Sequence, residues 1–223
     1  GVLTDDAVLQ PVSGKTQLDR RNMRRAAQLL DEAGWKPGAD GMRRNAKGEV
    51  LRVEFLNDSA TFDRVINPFV QNLRAVGIDA VNLRVDDAQL TARTRSHDFD
   101  IVTDQLLQGY FLTGDTEQTF GSENVGDVFN AMGMANPAVD RLIQLGIEAR
   151  SEDEMITVAH ALDRSLRAQH FWVPQWFKAE HTVAYYDIFA HPETLPPYAL
   201  GELDFWWYDA DKAAKLKQSG ALR

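Results

Sequence analysis

Between residues 51 and 106 the spacing of apolar side chains switches back and forth between two periods. Leu51, Val53 and Phe55 alternate with Arg52 and Glu54, the period of a strand with one buried face. Phe62, Val65, Ile66, Phe69, Val70, Leu73 and Val76 then trace one face of a helix, with Pro68 predicting either a kink or the start of a second segment behind Asn67. Val81, Leu83 and Val85 return to the strand period. Asp86 or Asp87 is placed to cap a short helix ending near Arg95, and Phe99–Leu106 reads as a third strand. Strand, helix, strand, helix, strand with short links predicts an α/β fold with right-handed crossovers. The first and third strands are expected parallel to the second.

The flanks are less regular. The first 18 residues have little periodicity, and Gly1–Asp6 lacks the basic and apolar regions of a signal peptide. Asp19 precedes a helix carrying Met23, Ala26, Ala27 and Leu30 on one face, with Gly34 as its stop. A turn-rich stretch predicts a hairpin around Asn45–Gly48. Residues 107–135 carry five glycines and read as one long loop, a kind of segment that is disproportionately functional inside compact domains. Asn136–Pro137 and Ser151–Glu154 are helix starts, the second a capping box before Met155, Val158, Ala159, Leu162 and Leu166. Pro174 closes that region, Val183–Phe189 reads as a strand, and a polar last helix starts near Asp209. No apolar run approaches the roughly 20 residues that span a bilayer.

The net charge of −9 argues against nucleic acid as a partner. With no cysteine there is no thiolate chemistry, and no two of the five histidines stand at the i, i+4 spacing of a helical metal site. No cofactor or metal is expected. Asp86–Asp87 and Glu152–Asp153–Glu154 fall at helix N-termini, where capping explains them better than acid–base catalysis. Ser122 has no G-x-S-x-G elbow, and the glycines have no P-loop spacing. The aromatics Phe171, Trp172, Trp176 and Phe177 gather around Pro174, with Tyr185 and Tyr186 behind. Such side chains suit a ligand pocket, and equally a core where helix meets strand.

Five stretches, in order, resemble one family. Asp19–Trp35 resembles the D-P-x-K-A-x-x-L-L-x-E-A-G-[WY] helix that opens the second lobe of family 5 solute-binding proteins, the peptide, dipeptide and nickel receptors of ABC importers. Phe62–Ile78 resembles its Q-x-x-L-x-x-x-G-I segment, and Ser96–Ile101 its D-Y-D-M strand. Asn136–Ile143 resembles N-P-x-V-D-x-L-I, and His170–Trp176 resembles A-P-W-I-P-L-[YW]. Gly114–Gln118 followed by Phe120–Ser122 looks closest to the G-N-E-Q…[FW]-x-S loop of the YejA-like branch, which is associated with oligopeptides and microcin C.

The resemblance implies a periplasmic-binding-protein-like lobe with a βαβαβ core. Residues 1–18 would be a lead-in, 19–175 the second α/β lobe, and 176–223 a return crossing and tail that pack on the first lobe. It implies a periplasmic, non-enzymatic substrate-binding component whose partners are a peptide or peptide-like solute, the missing N-terminal half, and an importer permease. Ligand sites in such folds lie beyond strand C-terminal ends. The implied ligand-binding residues are therefore Asp104, Gln105, Tyr110, Asp115, Glu117 and Gln118, then Trp172 and Trp176. Many family members carry A-D-Y after the third strand, its aspartate pairing with the ligand's amino terminus. Here the matching positions are Gln108–Gly109–Tyr110, so that anchor is missing. Two rival readings are an isolated lobe acting as an interaction module, and an α/β enzyme using Asp104 or Asp115 with His97.

Overall fold

The computed structural model describes Val12 and residues 18–106, 111–177, 180, 182–195 and 201–221. The chain divides into two compact units, Gly1–Trp172 and Val173–Arg223. The first unit opens with α1 (Arg20–Glu32), whose N-terminal amides of Arg21 and Asn22 donate to the Asp19 carboxylate at 2.9 Å. Gly34, at φ +87°, ends it in the left-handed conformation that glycine tolerates best. Strands β1 (Lys36–Pro37) and β2 (Arg43–Arg44) then pair antiparallel. The Asn45–Gly48 turn that follows returns the chain to an antiparallel bridge between Arg44 and Val50.

Next come β3 (Arg52–Asn57), α2 (Asp63–Ala75), β4 (Asp79–Arg84), α3 (Asp87–Arg95) and β5 (Ile101–Val102). The sheet is parallel and ordered β4-β3-β5, so the first of its three strands, not the second, lies at the centre. That position explains why Phe55, Leu56 and Asn57 are buried in succession rather than alternately: a central parallel strand is covered on both faces. The third strand is shorter than expected, and residues 103–106 leave the sheet. The central strand stops at Asn57, whose side-chain oxygen accepts the Ser59 N–H at 3.0 Å; in the β3–β5 register Asn57 would face Thr103, so residues 104–106 have no β3 backbone to pair with. Helix α2 runs unbroken through Pro68 and places Ile66 and Val70 against Phe55, Ile78 and Ala80. Phe69 meets Phe55 edge-on, with ring centres 5.7 Å apart. Asp86 caps α3, and the hydrogen bond from the Gln89 N–H holds its carboxyl below the usual carboxylate range.

A second core lies among α4 (Gly114–Phe120), α5 (Pro137–Ile147) and α6 (Glu152–Arg167), built from Phe120, Met134, Val139, Ile143 and Leu162. The expected loop over 107–135 thus contains a helix and a further 3-10 turn, Ser122–Asn124. Seven residues are too few to display a helical period; α4 is held by burial of Thr116 and Phe120. A Cβ at Gly146 would run into Leu112, so that glycine lets the chain approach α5 closely. Ser151 caps α6 as expected, but Glu154 folds back to the Arg150 N–H at 3.0 Å, one residue before the cap.

In the second unit β6 (Phe189–Ala190) pairs antiparallel with β7 (Trp207–Tyr208), followed by α7 (Ala210–Gln218) behind its Asp209 cap. The strand expected over Val183–Phe189 is not formed: residues 182–186 carry no regular structure, since the short β7 offers a ladder only at Phe189 and Ala190. No described helix is long and apolar enough to cross a membrane.

One buried cation joins the early elements. Arg43 is 5% exposed; its Nε donates to the Val76 carbonyl at 2.6 Å, and its Nη1 to Asp31 at 2.8 Å and the Trp35 carbonyl at 2.7 Å. Its backbone N–H donates to Gly77, which sits at φ +91° and whose added Cβ would lie 2.7 Å from the Gly41 carbonyl. Arg43→Met leaves two carbonyls without donors and should lower the urea-denaturation free energy by about 2–4 kcal/mol. Gly77→Ala should lose a similar amount through both clash and backbone strain, again read from the denaturation midpoint.

Candidate ligand-binding site

Asp104 and Gln105 are exposed just beyond β5, at the C-terminal edge of the parallel sheet. Tyr110 lies outside the described residues. Asp115, Glu117 and Gln118 share α4, the first exposed and the other two half-buried. Glu117 Oε1 accepts from Gln144 Nε2 on α5 at 2.8 Å. The structure therefore gathers three candidates on one helix, with Asp104 and Gln105 at a strand end.

The chain after α4 is held by side-chain amides and a carboxylate. Asn130 is fully buried; its Nδ2 donates to the carbonyls of Gly121 at 3.2 Å and Met134 at 2.9 Å, and its Oδ1 accepts the Met134 N–H at 2.7 Å. Asn124 Nδ2 donates to the Glu117 carbonyl at 3.1 Å. The Ser122 N–H and hydroxyl both donate to Asp140, at 2.8 and 2.7 Å. The network fixes α4 against α5. Sequence reasoning missed Asn130 and Gln144, and met Asp140 only as the acid of the N-P-x-V-D-x-L-I resemblance, because the partners of all three lie 4 to 27 residues away.

Two inner rings back an outer one. Phe120, almost fully buried, lies 6.1 Å from Trp172 and 6.3 Å from Phe171, and Phe171 meets Trp172 at 5.0 Å. Trp172 itself is 43% exposed. The core and surface readings of the aromatic group thus divide by residue: Phe120 and Phe171 fill the helical core, and Trp172 presents a face outward. Trp176 belongs to the second unit, where it is 66% exposed. There Trp206 meets Tyr185 at 4.7 Å and His191 at 4.8 Å.

His97 Nε2 lies 3.3 Å from the Asn130 backbone carbonyl, so its ring is engaged by a carbonyl rather than by Asp104 or Asp115. Its backbone stands at φ +54°, past the end of α3 where glycine is commoner. Among the described residues no group of three or more histidine or acidic side chains could hold a metal. A hollow of about 440 Å³ opens beside the α5–α6 turn, lined by Phe111, Leu112, Ile147, Arg150 and Met155 among others, and by none of the candidates.

Residues 4–126 match the family model described as bacterial extracellular solute-binding proteins, family 5 Middle. The chain belongs to this family. Family 5 is a family of binding proteins, not of enzymes, and the reading of Asp104, Asp115 and His97 as catalytic groups is withdrawn. Among family 5 relatives, the chain is 40% identical over 200 residues to the probable peptide-binding protein YejA of Agrobacterium fabrum, covering 88% of this chain and 32% of that protein. It is 34% identical over 207 residues to the uncharacterized protein YejA of Escherichia coli, covering 92% and 34%. In fold it matches the periplasmic oligopeptide-binding protein of Thermotoga maritima solved with mannohexaose, at a TM-score of 0.62 and 19% identity, over 70% of this chain and 31% of that one. The chain therefore spans about a third of the length of its curated relatives.

Asn130→Ala removes three buried hydrogen bonds, and should speed amide exchange selectively over 121–134 while β3 and β4 keep their protection. Equal acceleration in the sheet would mean that the two cores open as one unit.

Proposed function

We propose that these residues are the C-terminal portion of the substrate-binding component of an ABC-type peptide importer. The observation that carries this is the family 5 match over residues 4–126. Residues 19–175 form the second lobe and one wall of a cleft, which closes with a first lobe around a peptide-like solute before delivery to a permease. The setting is periplasmic. Asp104, Gln105, Asp115, Glu117, Gln118 and Trp172 line the wall, and Trp172, exposed beside Phe120 and Phe171, gives an apolar side chain a flat surface.

Residues 176–223 return to the first lobe and pack there. Phe177 and Leu203 are 86% and 92% exposed in a unit that covers few of its own aromatics, and surfaces of that kind are normally covered by association. The same surface supports a second reading, an isolated lobe that serves as an interaction module.

A cleft with one wall leaves much of its ligand in water. Calorimetry with a mixed peptide library should therefore show weak binding to the 223-residue chain, and binding more than tenfold tighter once the N-terminal half is added. The chain alone should self-associate or capture that half. Tight peptide binding by a monodisperse monomer would place the whole site within these residues and overturn the two-lobe reading. Assembly with the N-terminal half and no peptide binding at all would favour the interaction module.

A further inference from the structure

Four helices of this chain place charge as the helix dipole favours, and α1 does the opposite. α2 opens with Asp63 and closes with Arg74, and α3 runs from Asp87 to Arg93 and Arg95. α6 runs from Glu152, Asp153 and Glu154 to Arg164 and Arg167, and α7 from Asp211 to Lys215 and Lys217. In α1 the first turns carry Arg20, Arg21, Arg24 and Arg25, and Asp31 and Glu32 stand at the far end. Cations thus crowd the end where the dipole is already positive. They also repel one another. Arg20 and Arg24, and Arg21 and Arg25, are four residues apart, a spacing at which like charges destabilise a helix.

No internal partner offsets these costs. Among the described residues Arg25 pairs only with Glu32, at 3.5 Å and with both side chains more than half exposed. The guanidinium groups of Arg20, Arg21 and Arg24 pair with no carboxylate, and Arg24 Nε reaches only the Arg20 carbonyl. The exposed residues from the start of the helix to Leu29 are Arg20, Arg21, Arg24, Arg25, Gln28 and Leu29. They form an outer strip about 13 Å long without an acid. Met23, Ala26, Ala27 and Leu30 make the inner face, and Leu30 packs on the sheet core, which holds the arginines outward. Leu18 and Leu29, 46% and 47% exposed, flank the arginines along the chain.

We propose that the outer face of α1 docks on an anionic phospholipid surface. Guanidinium forks suit phosphate oxygens. A lipid leaflet offers a phosphate in every headgroup, so all four arginines are met however the protein is turned on the surface. An acidic protein would instead have to match their spacing. The exposed leucines, moreover, have an acyl boundary to enter. The inner face stays on the sheet core, so docking is shallow and reversible. Acids elsewhere in a chain of net charge −9 oppose it only within the screening length, about 8 Å at physiological salt. Such docking keeps the binding component beside a membrane permease, but the docking itself does not rest on the solute-binding reading.

Co-flotation with vesicles tests this, using the 223-residue chain without peptide. Vesicles of equal parts phosphatidylglycerol and phosphatidylcholine should bind it about tenfold more tightly than pure phosphatidylcholine at about 20 mM salt. The difference should vanish near about 300 mM. Arg20→Gln/Arg24→Gln should remove most of it. Arg20→Lys/Arg24→Lys, which keeps the charge, should retain most of it, and Lys215→Gln/Lys217→Gln, which removes two cations from α7, should leave it unchanged. The glutamine variant relieves repulsion within α1, so its thermal midpoint should hold or rise, which separates lost docking from lost folding. Equal binding to both vesicle types would assign attachment to apolar surface such as Phe177 and overturn the proposal. An anionic preference that survives Arg20→Gln/Arg24→Gln would overturn it as well. Retention on polyglutamate without vesicle binding would overturn it in favour of an acidic protein partner. Peptide capture, measured without lipid, stands or falls separately.

Discussion

The guanidinium of Arg43 is the hinge on which the parallel sheet is built. A buried arginine is tolerable only when its donors are met, and here a carboxylate from α1, the Trp35 carbonyl and the Val76 carbonyl at the end of α2 meet them. The same residue's backbone sets the register. Its carbonyl accepts the Leu51 N–H at the entry to β3, and the Leu51 carbonyl accepts the Asp79 N–H at the entry to β4. Its own N–H is tied to Gly77, the turn between α2 and β4. One side chain and its peptide groups thus fix where both long strands begin, and with them the edge at which the sheet ends.

From that frame the molecule is assembled as two apolar cores with different construction. The sheet core, around Phe55 and Ile66, is continuous with the hydrogen-bonded ladder. The helical core, around Phe120 and Ile143, depends on side chains reaching between segments, above all Asn130 and Asp140. Of the proposed ligand residues, Asp115, Glu117, Gln118 and Trp172 fall on the second construction. Side chains displayed at a surface have few neighbours of their own, so their support comes from buried groups beneath them. His97, held at a positive φ and bonded to the Asn130 carbonyl, ties the α3–β5 turn to the helical core.

The second unit shows the opposite balance. Among its described residues, one two-stranded ladder and one helix bury little, and large apolar side chains stay in contact with water.

The sequence by itself determined the order of elements from β3 to β5, the parallel α/β class and most helix starts. These rest on local physics: Asp19, Asp86, Asn136, Ser151 and Asp209 cap helices through amides two or three residues away, and apolar period distinguishes strand from helix over a single element. The family was legible too, because its motifs are runs of neighbouring residues. What only the tertiary structure decided was everything that depends on a distant partner. Which strand is central, why β5 cannot extend to Leu106, and why 182–186 form no strand follow from what backbone is available to pair. α4 exists because Thr116 and Phe120 are buried, not because seven residues favour a helix. At the site, Glu117 was legible as a loop acid, but its restraint by Gln144 and the backing of Trp172 by Phe120 were not. Those contacts join residues 27 and 52 positions apart, across a distance in sequence over which periodicity and capping carry no information.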